Sequence, residues 1–262
     1  MSTVGRFDDR VAFCTGGGSG ISRAFAWRMA SEGARVLLAE RDVDAGTATE
    51  AALRAAGHDA VFVPTDVTDL ASVEQAVAVA MQRWGRIDVL LNAAGGSLPG
   101  DAPITEVDLS IWDPTFDANV KGTAHCCRAV IPVMAAHGGG SVINLTSLFA
   151  LRGNHTRHVY GAAKGAVIAL TRELAARHAR DGVRVNVVVP GTVLTERVKA
   201  QFDANTDEHG HNAAAAAMGF DDHPASVHTP EELAGVLAFL ASDDARIVTG
   251  ALVPADGGML AW

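Results

Sequence analysis

Residues 10–30 read RVAFCTGGGSGISRAFAWRMA. Arg10 to Thr15 is a short apolar run of the length expected for a buried strand. Gly16-Gly17-Gly18-Ser19-Gly20 follows, and from Ile21 to about Ala30 the apolar residues recur with helical spacing. Strand, glycine turn and helix in this order present a helix N-terminus to an anion, with free backbone N–H groups and a favourable dipole. Glycines let the backbone approach such a ligand closely. A glycine cluster can also be a loop that binds nothing, but its place between a strand and a helix favours the phosphate-binding reading.

Beyond Gly33, Arg35 to Ala39 reads as the next strand and runs into Glu40. A carboxylate at about this distance from the glycines can accept hydrogen bonds from the 2′- and 3′-hydroxyls of an adenosine ribose. It repels a 2′-phosphate by about 4 kcal/mol in a partly solvated site, about a thousandfold in affinity. The expected cofactor is therefore NAD rather than NADP. Arg23 and Arg41 are the cations that could instead pair with a 2′-phosphate.

The alternation continues along the chain. Asp44 to Ala56 reads as helix, Ala60 to Pro64 as strand ending near Asp66-Val67, Asp69 to Trp84 as helix, and Ile87 to Leu91 as a strand entering Asn92-Ala93-Ala94-Gly95. One helical stretch covers about Trp112 to Ala136, and Ser141 to Thr146 is a strand. A helix around Tyr160, the strand Val183 to Val189, a helix opened by Thr229-Pro230-Glu231-Glu232 and a last strand Ala251 to Pro254 complete the pattern. Alternating strands and helices define an α/β fold, a doubly wound parallel sheet of Rossmann type, here in a single domain over residues 1–262. Ligands of such sheets bind beyond the carboxyl ends of the strands. The glycine turn, Glu40, Asp66, Asn92, Ser147 and Pro190 all fall there.

Tyr160, the only tyrosine, is followed four residues later by Lys164. On a helix these positions share a face. A free phenol has a pKa of about 10, and a neighbouring cation lowers it, so the pair is a candidate general acid/base. The alternative is a buried tyrosine beside a solvated lysine.

Composition narrows the class. The net charge of −9 argues against nucleic acid and anionic membrane surfaces as partners. The three cysteines, Cys14, Cys126 and Cys127, fit neither a disulfide framework nor a metal site, and read as core residues in a reducing compartment. With no apolar N-terminal segment and no membrane-length apolar run, the expectation is a cytoplasmic protein.

Taken together, these residues resemble the short-chain dehydrogenase/reductase family from about Phe7 to Gly258. The motifs are Thr15-Gly16-x-x-x-Gly20-x-Ser22, Asn92-Ala93-Ala94-Gly95, Asn119, Ser147, Tyr160-x-x-x-Lys164, Pro190-Gly191, Val248-Thr249-Gly250 and Asp256-Gly257-Gly258. The family's third cofactor glycine is Ser22 here, which puts the tightness of the glycine turn in question. The resemblance implies an oxidoreductase acting on a secondary alcohol or ketone. Tyr160 exchanges the substrate proton, Ser147 binds the same oxygen, and Lys164 holds the nicotinamide ribose and lowers the Tyr160 pKa. Asn119 anchors a water that relays protons. The implied cofactor contacts are Gly16, Gly18, Ser19, Gly20 and Ile21 at the pyrophosphate, Glu40 at the ribose, and Asp66 and Val67 at the adenine. Asn92, Ala93 and Gly95 follow, with Pro190, Gly191 and Val193 beyond Tyr160 and Lys164. A homotetramer and a small alcohol or ketone as substrate are implied as partners. A 3-oxoacyl-carrier-protein reductase using NADPH and a non-catalytic dinucleotide sensor are the alternatives.

Substrate choice is expected to lie in two segments. Leu148 to Val159 contains Arg152, His155, Arg157 and His158, which suit either an anionic substrate group or a solvated loop. Thr192 to about His228 contains Asp207, Glu208, His209, His211, His223 and His228 without metal-ligand spacing, and reads as a variable lid. Its apolar inner side would be Leu194, Val198, Phe202, Met218 and Phe220.

Overall fold

The computed structural model describes residues 5–153, 155–204 and 227–261. Its strands are β1 (Val11–Thr15), β2 (Arg35–Glu40), β3 (Ala60–Pro64), β4 (Val89–Asn92), β5 (Gly140–Leu145), β6 (Val183–Pro190), β7 (Thr192–Val193), β8 (Val227–His228) and β9 (Leu252–Ala255). Seven of them form one parallel sheet in the order β3-β2-β1-β4-β5-β6-β9. The chain builds outward from β1 through β2 to β3, then returns to place β4 on the other side of β1, with Ala12 opposite Val89. A crevice opens where the order reverses.

Strands buried on both faces need apolar side chains on both, and β1 is buried at every residue. One face is covered by α1 (Gly20–Ser31) and the late helix α8 (Pro230–Ala241), which pack Phe25, Met29, Leu237 and Leu240 against Leu38 and Ile143. The other face is covered by α3 (Leu70–Trp84) and α5 (Gly122–Ala136), with Val73, Ala80, Cys126, Cys127 and Met134 over Leu37, Leu90 and Val142. All three cysteines are buried core residues, as expected. The cap predicted at Thr229 forms: its hydroxyl accepts from the Glu232 N–H at 3.2 Å, and the Glu232 carboxylate accepts from the Thr229 N–H at 2.8 Å.

Two segments depart from the expectation. The stretch 112–136 is not one regular helix. It comprises α4 (Trp112–Phe116), a π turn over Asp117–Lys121, and α5. Apolar spacing barely registers one inserted residue, but the insertion turns Asn119 out of helical register. Residues 192–228, expected to be an aperiodic lid, include a short parallel pair, β7 with β8, in which Val193 faces His228. The helix α7 (Glu196–Ala204) follows β7. The expectations for Asp207, Glu208, His209, His211, Met218, Phe220 and His223 lie outside the described residues. No helix among the described residues is long and apolar enough to cross a membrane.

Candidate active site

A cleft of about 670 Å³ lies over the carboxyl ends of β1, β2, β3 and β4. At its centre α1 begins. Ser19 occupies the cap position, yet its own side chain makes no capping hydrogen bond, and the Gly20 N–H donates instead to Glu196 Oε2 at 3.3 Å. Gly20 has φ 53, and a Cβ there would run into Thr195. Gly16, Ser19, Gly20 and Ile21 all line the cleft. Gly18 does not. It lies beneath the turn, where its N–H donates to Glu40 Oε2 at 3.1 Å and its carbonyl accepts from the Thr49 hydroxyl at 3.1 Å.

One end of the cleft is lined by Glu40, Arg41, Asp66 and Val67. The Glu40 carboxylate also accepts from the backbone N–H groups of Arg41 and Asp42, at 2.8 and 2.9 Å. Three N–H groups thus fix its position at the rim. Burial works against ionisation of Asp66, but hydrogen bonds from the Thr68 N–H and hydroxyl and the Arg41 cation hold its carboxyl below the usual range.

Asn92, expected among the cofactor contacts, does not line the cleft. Its side chain is buried and donates to Asn144 Oδ1 at 2.8 Å and to Cys127 Sγ at 3.4 Å. Asn144 in turn donates to the Thr171 hydroxyl at 2.9 Å. This inward polar chain ties β4 through β5 to α6 (His158–His178). Ala93 and Gly95 reach the cleft instead. The Thr15 hydroxyl orders their turn by accepting from the N–H groups of Ala93 and Ala94, at 3.0 and 3.1 Å.

Tyr160 and Lys164 lie one turn apart on α6. The helix N-terminus is held by Asp101, whose carboxylate accepts from the N–H groups of Val159 and Tyr160 at 3.1 and 2.9 Å. Lys164 is buried, with Nζ donating to the Leu145 carbonyl at 3.0 Å and lying 5.7 Å from the centre of the Tyr160 ring. Ser147, just beyond the end of β5, is near enough to the Tyr160 phenol to favour its ionised form. Ser147, Tyr160 and Lys164 lie together where β5 ends and α6 begins.

The electrostatics differ from the simple pair. Burial pushes the Tyr160 phenol above its ordinary value, and Arg197, Ser147 and Arg157 pull in the opposite direction. Lys164 is itself lowered to about 8, first by burial and then by repulsion from Arg197. Arg197 and Arg157 thus add cations that favour the phenolate. Arg197 was not identified in the sequence, because nothing in its spacing marks it.

Asn119 is fully buried in the π turn. Its amide donates to the carbonyls of Gly96 and Thr115 at 3.0 and 2.9 Å, and its Oδ1 accepts from the Gly96 N–H at 3.0 Å. The side chain thus pins the loop after β4. Its backbone carbonyl accepts from the Thr123 hydroxyl at 2.8 Å. Pro190 is buried, and Gly191 backs onto Asp256, where a Cβ would overlap its backbone. Val193 is buried beside β8 rather than lining the cleft. Ser22 fits into the core of α1, and its hydroxyl has no hydrogen-bond partner among the described residues. In the 148–159 loop, His155 hydrogen-bonds the Phe149 carbonyl, His158 accepts from the Ile104 N–H, Arg157 lies over the Phe149 ring and Arg152 is exposed. Among the described residues, no group of His, Cys, Asp or Glu could hold a metal ion.

Known proteins share this arrangement. The family model described as enoyl-(acyl carrier protein) reductase matches residues 16–260. A short-chain type dehydrogenase/reductase from Bradyrhizobium diazoefficiens is 37% identical over 98% of this chain and 90% of its own length. The cis-4-hydroxycyclohexanecarboxylate dehydrogenase of Sinomonas cyclohexanicum is 38% identical over 97% of this chain and 98% of its own. Among solved structures, L-sorbose reductase from Gluconobacter frateurii, complexed with NADPH and L-sorbose, superposes with a TM-score of 0.89 at 30% identity, covering 98% of this chain and 99% of that one. Carveol dehydrogenase from Mycobacterium avium, in complex with NAD, gives 0.90 at 27% identity over 98% and 100%. The chain belongs to the short-chain dehydrogenase/reductase family, a class of oxidoreductases several of whose solved members are complexed with nicotinamide dinucleotides.

Proposed function

We propose that the protein is an NAD-dependent oxidoreductase that interconverts a secondary alcohol and its ketone, with Tyr160 as general acid/base. The observation that carries this reading is the grouping of Ser147, Tyr160 and Lys164 in the same fold that presents the glycine turn and the start of α1 to a cleft. The glycine turn fits a dinucleotide: Gly20 has a left-handed backbone, and the turn lines an open cleft. Gly16, Ser19, Gly20 and Ile21 would hold the pyrophosphate, and Glu40 the adenosine ribose. The bound nicotinamide would supply the hydride chemistry.

The chain's own residues position the substrate and move its proton. Ser147 orients the substrate oxygen toward the Tyr160 phenol. Tyr160 gives its proton to that oxygen in reduction and takes it in oxidation. A phenol held above its usual range is protonated near neutrality, which suits reduction. Oxidation needs the phenolate and is expected to rise with pH. Asn119 keeps Gly96 in place beside the reaction centre. Glu40 supports NAD by repelling a 2′-phosphate. The hydroxycyclohexane named for one relative supports a cyclic alcohol of modest size. Assembly as a homotetramer remains part of the proposal, and light scattering tests it.

The experiment is the absorbance of reduced nicotinamide with a panel of secondary alcohols, using NAD and NADP, for the wild type and Tyr160→Phe. NAD-linked turnover that falls by about 10²–10⁴ in the variant supports the proposal. NADP-linked activity confined to carrier-bound 3-oxoacyl groups would instead support the carrier-protein reductase reading. Dinucleotide binding with no turnover would support a sensor.

A further inference from the structure

We propose that the preferred substrate carries an anionic group, a carboxylate or its chemical equivalent, beside the reacting hydroxyl, and that Arg197 recognises it. The inference rests on the alcohol/ketone reading and specifies its substrate class.

The first turn of α7 divides its charges. Glu196 pairs with Arg23 and accepts from the Gly20 N–H at 3.3 Å, at the middle of the cleft. Arg197, the next residue, lies at the reaction end. Its guanidinium packs on the backbone of Gly96, where any Cβ would collide with it, and it lines the cleft beside Ser97 and Leu98. Arg157 lies 5.7 Å from the centre of the Phe149 ring, and that ring meets Tyr160 edge-on at 6.2 Å. The field of Arg197 reaches both Tyr160 and Lys164, lowering the proton affinity of each.

The neighbouring carboxylates are engaged elsewhere. Both Asp101 oxygens accept from the α6 N-terminus, and Glu196 is held by Arg23 and Gly20. Among the described residues, no carboxylate forms a salt bridge with Arg197 or Arg157. Arg197 therefore presents to the cleft a guanidinium with no carboxylate partner among the described residues, and such a cation attracts an anion. The guanidinium fork suits a carboxylate in particular.

The test uses the protein saturated with NADH and titrated calorimetrically with cyclohexanecarboxylate or its uncharged carboxamide. Wild type, Arg197→Met and Arg197→Lys are compared. The carboxylate is expected to bind about tenfold to a hundredfold more tightly than the amide, as for a charge-assisted hydrogen bond. Arg197→Met should abolish that preference, Arg197→Lys should keep part of it, and NADH affinity should not change. Turnover of a hydroxycyclohexanecarboxylate against its carboxamide should show the same preference, mainly in KM. Equal binding of the two ligands to wild type, or a preference that survives Arg197→Met, overturns the proposal. So does a loss of NADH affinity with the preference intact, since Arg197 would then serve the dinucleotide. Arg197-dependent carboxylate binding with no turnover of any alcohol would support the anion site and remove the alcohol chemistry. Turnover of neutral alcohols without carboxylate preference would do the reverse.

Discussion

Glu196 Oε2 accepts a hydrogen bond from the backbone N–H of Gly20 at 3.3 Å, while Oε1 is paired with Arg23. The carboxylate thus sits at the start of α1, where the fold offers a seat to a phosphate. Burial opposes its ionisation, but its own backbone N–H, Arg23 and Gly20 hold its carboxyl below the usual range. Glu196→Gln removes a negative charge from the proposed pyrophosphate site. Dinucleotide binding is expected to tighten by about fivefold, the effect of roughly 1 kcal/mol of repulsion in a solvated site. NADH fluorescence titration checks this, and unchanged or weaker binding would contradict it.

Asn119 holds both the N–H and the carbonyl of Gly96. Asn119→Leu leaves both groups without that partner at similar side-chain volume. The expected loss of stability is about 1–3 kcal/mol, as for a buried polar group left unpaired. Urea unfolding measures it. Catalysis should fall as well, because Gly96 backs the reaction end, and the pH profile of the residual activity should keep its shape.

Lys164 gives a pH signature. Its pKa falls from an ordinary 10.5 to about 8 in the folded protein. Between those values the unfolded chain binds more protons than the native state, so stability rises with pH across this window. Below about pH 8 the cost of keeping Lys164 charged and buried is present in full. The window corresponds to about 3 kcal/mol. Lys164→Met should remove this rise, so its stability relative to wild type should decline as pH increases from about 8 toward 10.5. Unfolding midpoints across that range provide the test. Parallel curves for the two proteins would show that Lys164 is not the titrating group.

Ser22 stands in the core of α1 with its hydroxyl unpartnered among the described residues. Ser22→Ala removes the buried polar atom and places the best helix former in the same space. A gain of about 1 kcal/mol is expected, or roughly 2–4 °C in Tm for a chain of this size. Calorimetry would detect it. A lower Tm would mean that the hydroxyl has a partner.

The parallel sheet was legible because its strands are apolar throughout and each is followed by a helical period. The placing of Gly16, Gly20, Glu40 and Asp66 at strand ends followed from that order alone. The inward turn of the Asn92 side chain was not legible because it depends on Asn144, a partner 52 residues away. Asp101 was missed because it caps α6 from a loop with no local signal, 58 residues before Val159. The π turn escaped because it disturbs the apolar spacing by only one residue. Arg197 escaped because an arginine after a strand is ordinary in sequence, and only folding brings it beside Tyr160. Local order was therefore readable, whereas contacts made across the sheet were not.

The pairing of β1 with β4 also bears on how the molecule is made. Ala12 and Val89 become neighbours only after most of the first hundred residues exist, and the intervening chain must be closed into a loop before that contact stabilises anything. Until β4 arrives, the inner edge of β1 is an unpaired apolar strand. A nascent chain or truncated fragment ending before Val89 therefore exposes a template for self-association. The junction that creates the binding crevice is, during synthesis, the segment most in need of a chaperone.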